Sequence, residues 1–132
     1  SYFLLHKPPK NLGAIANPFS SGTFRFHLAG KNGTPPNLDL YGLGRRASAT
    51  VLAGDYHGQT TTVDATDATY LQNNILISST ANGIVSTVST ATALTNYLNA
   101  QYAVGAGAGQ YVFLRFSSDA APGGSNRYNL TS

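Results

Sequence analysis

The chain contains no cysteine, no methionine, no tryptophan and no glutamate. Without cysteine there is no disulfide framework and no thiolate metal site. Without tryptophan, the usual stacking residue of sugar-binding surfaces is missing. Charged residues make up 10% of the chain, against about 25% in an average soluble protein. The acids are only Asp39, Asp55, Asp64, Asp67 and Asp119. The net charge of +3 comes from basic residues scattered along the chain, with Arg45-Arg46 the only adjacent pair. Nucleic-acid binding needs a basic cluster or stripe, so a solvated surface and no nucleic-acid partner are expected. No apolar run approaches the roughly 18 residues of a membrane span. The start, SYFLLHKPPK, has too short an apolar segment for a signal peptide.

What is present favours strands. A length of 132 residues fits one domain over residues 1–132, large enough to bury roughly two-thirds of the surface its unfolded form exposes. Strand-favouring Thr, Val, Tyr and Phe together supply about a quarter of the chain, linked by Gly, Asn, Pro and Ser turns.

The best-specified stretch is TATALTNYLNAQYAVGAGAGQYVFLRF, residues 90–116. Leu94, Tyr97, Leu98 and Tyr102 recur at i, i+3, i+4 and i+8 and predict a short amphipathic helix, capped by Ser89 or Thr90. Gly105, Gly107 and Gly109 end it. From Gln110 to Phe116 the period changes to two, with Val112, Leu114 and Phe116 on one face and Tyr111, Phe113 and Arg115 on the other.

Elsewhere, Tyr2 to Leu5 predicts a first strand ended by Pro8 and Pro9. Phe24, Phe26 and Leu28 alternate with Arg25 and His27 in a half-buried strand. Leu38 and Leu40 point inward and Asp39 and Tyr41 outward in the next, and a hairpin between the two runs is expected. Ala47 to Leu52 reads as a weaker strand with Ala49 and Val51 inward, and Thr60 to Val63 as a short strand or extended loop. Asp67 is placed to cap a short helix through Tyr70 and Leu71 to Ile75. Gly83 to Thr87 and Asn126 to Ser132 read as further strands, with Tyr128 and Leu130 on one face of the last. Together these predict an all-β, antiparallel two-sheet sandwich of jelly-roll-like kind with one or two short helices.

The run TFRFHLAGKNGTPPNLDLYGLG, followed by SATVLAGDY, LTNYLNAQYAVGAGAGQYVFLRFSSDA and NRYNLTS, resembles jelly-roll modules of secreted and surface-anchored bacterial proteins. These include proteins with PEP-CTERM-type sorting signals and DNRLRE-type modules related to carbohydrate-binding domains. The matching positions are Asp39 to Leu43, Leu94 to Asn99 and Val112 to Phe116, and the resemblance covers roughly Phe24 to Thr131. It implies an extracellular or cell-surface location. Relatives open with more strands and continue past the segment matching Tyr128 to Thr131, so the resemblance also implies a strand lacking at one end and an unfilled sheet edge.

Catalytic chemistry is poorly supplied. Asp55-Tyr56-His57 puts a carboxylate beside an imidazole, but no G-x-S-x-G context provides a nucleophile, and no enzyme is expected. His6, His27 and His57 lack H-x-x-x-H spacing. Asp64 and Asp67 are the start of an oxygen set for calcium, which the resembling modules often hold; a helix cap and turn competes with that role. Otherwise no cofactor is expected. Gly105 to Gly109 lacks the Lys-Ser/Thr of a phosphate loop.

Two functions remain open. One is a structural or adhesive module, self-associating or joining another extracellular protein through Tyr2, Phe3, Leu4, Leu5, Tyr128 and Leu130. The other is a polysaccharide-binding module using Tyr41, Tyr56 and Tyr111 as surface aromatics.

Overall fold

Residues 111–118 form the strand against which the others assemble, and its both-sided burial explains why. In β6, Tyr111–Ser118, every residue from Val112 to Ser117 is buried. The computed structural model describes residues 2–6, 17–56, 68–88, 92–103, 110–121 and 123–131. Preceding β6 in the chain are β1 (Tyr2–His6), β2 (Arg25–Asn32), β3 (Leu38–Arg46), β4 (Thr69–Leu76), β5 (Gly83–Ser86) and helix α1 (Ala93–Ala103); β7 (Arg127–Thr131) follows it.

Two antiparallel sheets result. One has the order β1-β6-β3-β4 and the other β5-β2-β7. The fold is therefore the expected all-β two-sheet sandwich, with one α-helix and a short 3-10 turn at Ala53–Asp55 among the described residues. Between the layers, Phe26, Leu28 and Tyr128 meet Leu38, Leu40, Val112, Leu114 and Phe116, while Leu94, Tyr97 and Tyr102 close the core from α1. Burying side chains of this size contributes roughly 1.5–3 kcal/mol each. Phe26 packs edge-on to Phe116 at 5.0 Å and stacks with Phe24 at 5.6 Å.

Helix α1 shares the inner layer with the three-stranded sheet, and polar contacts fix its position. Asn99 exchanges two hydrogen bonds with the backbone of Phe19, N–H to Oδ1 and Nδ2 to O, each 2.9 Å. The Tyr97 hydroxyl accepts from the Gly44 N–H at 2.7 Å and donates to the Phe113 carbonyl at 3.0 Å. The β3–β6 register shifts between Gly42 and Gly44, and Gly44 takes φ +91°. At that β-bulge the ladder is interrupted, and the hydroxyl bridges the two strands there.

Several expectations are corrected. Residues 23–29 and 38–43 do not pair as a hairpin: β2 joins β5 and β7, and β3 joins β4 and β6. The segment between them, with consecutive prolines at 35 and 36, carries the chain from one sheet to the other. Residues 47–52 form no strand; Ala49 is exposed and Val51 half-buried. Thr69–Leu76 is strand β4, not a helix. Leu71 and Ile75, four apart, suit either period, and left-handed Asn74 (φ +50°) turns Ile75 and Leu76 inward together. Residues 60–63, the 89–90 cap and the glycines at 105, 107 and 109 lie outside the described residues.

Candidate functional site

Along β3 and β6, most of the sheet face turned away from the core is buried as well. Period two sends Leu114 and Phe116 into the core and leaves Phe113, Arg115 and Ser117 on the opposite face. Register sets Tyr41 beside Arg115, Asp39 beside Ser117 and Arg46 beside Tyr111. Asp39 and Tyr41 were expected to face solvent, yet they are only 3% and 1% exposed. Alternation assigns a face to each residue, whereas what covers that face comes from elsewhere in the chain.

Part of the cover is a strap, residues 47–56, which doubles back over the sheet after β3. Its 3-10 turn is closed by the Asp55 N–H to the Leu52 carbonyl at 3.0 Å. The Asp55 carboxylate reaches back to the Leu52 N–H at 2.6 Å. Both its oxygens are held by Arg46, with Nη1 to Oδ2 at 2.6 Å and Nη2 to Oδ1. The Asp55 main-chain carbonyl accepts from Arg115 Nη1 at 2.8 Å, and Arg115 Nε donates to Ser117 Oγ at 2.8 Å. Arg46 lies over the Phe113 ring at 4.5 Å and Arg115 over Tyr41 at 5.4 Å. Arg115 is fully buried. Desolvating a guanidinium costs several kcal/mol unless polar groups surround it, and here carbonyl, hydroxyl and aromatic face do so.

The Arg46 hydrogen bond holds the Asp55 carboxyl below its usual pKa against the opposing effect of burial. Asp55 therefore stays ionised, the opposite of what a general acid needs. Asp55 pairs with Arg46, and His57 lies outside the described residues.

A second group of titratable side chains lies near the end of β6. Burial pushes the Asp39 carboxyl up, the Asn74 N–H hydrogen bond to Oδ1 (2.7 Å) opposes it, and Asp119 raises it further through charge and a side-chain hydrogen bond. Tyr70 is raised by burial and then by the charges of Asp39 and Asp119.

The tyrosines named as glycan contacts separate. Tyr41 is buried, with Tyr70 edge-on at 5.4 Å; Tyr56 is 56% exposed; Tyr111 is half-buried. Tyr70, 43% exposed, joins Tyr56 as an accessible ring on this side. Asp64 and Asp67 lie outside the described residues, and among those described no three acids or histidines gather as metal ligands. Of the residues named for an interface, Tyr2, Phe3, Leu4 and Leu5 form the backbone of β1, paired to β6. Tyr128 is instead a core residue, and its hydroxyl donates to the Pro35 carbonyl at 3.5 Å; Leu130 packs against the same core. The Arg46–Asp55–Arg115 arrangement was missed. Its one sequence signal is an arginine inside the apolar run YVFLRF.

The other exposed feature is β5. Thr87 N–H bonds the Phe24 carbonyl at 3.0 Å, and the register pairs Phe26 with Val85 and His27 with Ile84. Antiparallel pairs alternate between bonded and non-bonded, so the backbone N–H and C=O groups of Ile84 and Ser86 point away from β2, along an edge that no other described strand covers. Ile84 is 76% exposed. Residues 81–88, ANGIVSTV, contain neither charge nor proline, two devices that blunt sheet edges. Among the described residues no helix is long and apolar enough to cross a membrane.

No family model, curated protein or solved structure matches the chain.

Proposed function

We propose that this chain is a non-enzymatic, extracellular structural or adhesive module that assembles through an edge strand, with copies of itself or with a partner chain. The observation that carries the reading is the β5 edge: uncharged, free of proline, regular in register against β2, and bearing Ile84, the most exposed large apolar side chain among the described residues. The other sheet has two edges, of which β1 pairs with β6 in unbroken register. Its β4 edge is distorted by left-handed Asn74 and by two register shifts against β3. Low charge and abundant Ser and Thr favour close approach of flat polar surfaces. The likeness of residues 24–131 to jelly-roll modules of secreted and surface-anchored proteins supports the extracellular location. Sedimentation velocity over a hundredfold concentration range tests the reading: growth of larger species supports it, and an unchanging monomer removes self-association.

Glycan binding is the second reading, favoured by the exposed rings of Tyr56 and Tyr70 beside half-buried Tyr111. On a glycan array, binding lost in a Tyr56→Ala, Tyr70→Ala variant would support it.

A further inference from the structure

Strand β5 lies at the edge of its sheet, and the unpaired part of that edge has sharp bounds. Val85 and Thr87 turn their backbone groups toward β2, where the Thr87 N–H meets the Phe24 carbonyl at 3.0 Å. Ile84 and Ser86 turn theirs the other way. At one end Gly83 takes φ +130°, a conformation that L side chains rarely adopt. At the other, the outward Val88 N–H is held by Gln72 Oε1 at 2.9 Å. Between these bounds, the outward groups that no described strand pairs with are those of Ile84 and Ser86.

The flank around this edge carries no charge. No charged residue occurs from position 68 to position 114, a stretch that includes β4, β5 and α1. The Gln72 contact with Val88 sets β4 beside β5, so the edges of both sheets on this flank are uncharged. Ile77, Ile84 and Val88 are exposed on the same stretch by 37%, 76% and 53%. An uncharged edge bearing apolar side chains is a template for another strand.

We propose, resting on the edge-pairing reading above, that the occupant of this edge is β5 of a second copy, paired antiparallel about a two-fold axis at Val85. The two three-stranded sheets merge into one continuous sheet. Centring on Val85 sets Ile84 opposite Ser86 of the second copy and Ser86 opposite its Ile84, so every outward group between the bounds finds a partner. Centring on Ile84 would oppose Ser86 to Asn82, which precedes the strand. Centring on Ser86 would oppose Ile84 to Val88, whose N–H is taken. Self-pairing also brings no like charges together. Ser86 pairs with Arg25 and Ile84 with His27, so these basic residues stay three strand spacings, about 14 Å, from those of the second copy. That exceeds the Debye length of about 10 Å at 0.1 M salt. Each copy uses up its β5 edge, and the assembly closes as a dimer.

The chain has no cysteine, so introduced thiols report the register without background. Ile84→Cys and Ser86→Cys proteins are mixed in equal amounts in a glutathione redox buffer, and the disulfide-linked species are read by intact mass. Opposed residues stand about 5.5 Å apart at Cα, within disulfide reach, whereas the two Ile84 positions lie on a diagonal of about 7–8 Å. The mixed disulfide should exceed either homodisulfide by at least about tenfold. A dominant homodisulfide, or no excess of the mixed one while the wild type self-associates, would overturn this register and leave edge pairing standing. Wild-type amides of Ile84 and Ser86 should also exchange at least about tenfold more slowly at high protein concentration than at low, with Val85 and Thr87 unchanged. Association without that protection would overturn the proposal. In sedimentation velocity the wild type should end at a dimer; larger species would overturn closure alone, and a permanent monomer would remove self-pairing altogether.

Discussion

Helix α1 and strand β3 meet where the ring of Tyr97 occupies the space that a Cβ on Gly42 would fill. Gly42 has ordinary backbone geometry, so glycine is required here for close approach alone. The same ring carries the hydroxyl that bridges Gly44 and Phe113 at the β3 bulge. Burial pushes the Tyr97 phenol up to about 12, so it remains a protonated donor throughout the physiological range.

Gly42→Ala is therefore expected to destabilise the fold by about 1–3 kcal/mol, the usual cost of overpacking. Tyr97→Phe keeps the ring and strips the bridge, costing about 1–3 kcal/mol for the buried groups left unmatched. Urea denaturation of both variants measures this. A change under 0.5 kcal/mol in Tyr97→Phe would mean that the bulge does not depend on the hydroxyl.

The two buried aspartates should drive stability in opposite directions with pH. Asp55 has a lowered folded pKa, so its contribution is present above the unfolded value near 3.8 and is lost as pH falls through the folded value. Asp39 has a raised folded pKa, so its contribution is complete below 3.8 and is lost as pH rises through the folded value. Asp39→Asn, which retains an Oδ1 acceptor for the Asn74 N–H, should flatten the decline above pH 3.8 relative to wild type. Asp55→Asn should remove the fall below it from a lower starting stability. Urea midpoints measured across that range, compared as differences from wild type, decide the matter. An Asp39→Asn curve parallel to wild type above pH 3.8 would contradict it.

Lys31 ties the connection between β4 and β5 to β2. Its Nζ donates to the Ser78 carbonyl at 2.7 Å and to that of Thr80, in a turn closed by the Thr80 N–H to the Ile77 carbonyl at 2.9 Å. Hydrogen bonds to a charged donor are worth about 1.5–3 kcal/mol. Lys31→Met, which keeps the apolar stem, should raise amide exchange at Thr80 at least tenfold while amides of β6 hold their protection. Unchanged exchange at Thr80 would show that the turn stands without the clamp.

Periodicity made much of this fold legible. The spacing of Leu94, Tyr97 and Tyr102 marked α1, and strict alternation marked β2, β6 and β7. These are elements whose inward face alone meets the core, or whose two faces are visibly different. Partners were less accessible, because alternation in residues 24–28 and 38–41 assigns faces without saying which strand lies alongside. Strand β4 was misread because Leu71 and Ile75 share a spacing with helices and Asn74 breaks the period of two. Least legible was the candidate site. Nothing local to Asp39, Tyr41 or Arg115 announces that Asp55 will fold over the face they share, since a covering strap is a long-range contact. The β5 edge lay in plain view as GIVS, but that its outward backbone groups belong to Ile84 and Ser86 depends on the pairing with β2.

Association through β5 is the central claim, and Ile84→Lys tests it most directly. The Ile84 backbone faces away from β2 and its side chain is exposed, so a lysine there places a charge on the edge without disturbing the β2 ladder. Sedimentation velocity of wild type and Ile84→Lys at matched concentrations, with Tm recorded for both, is the measurement. The account predicts concentration-dependent association of the wild type that disappears in Ile84→Lys at unchanged Tm. A wild type that stays monomeric, or association that persists undiminished in Ile84→Lys, would contradict it.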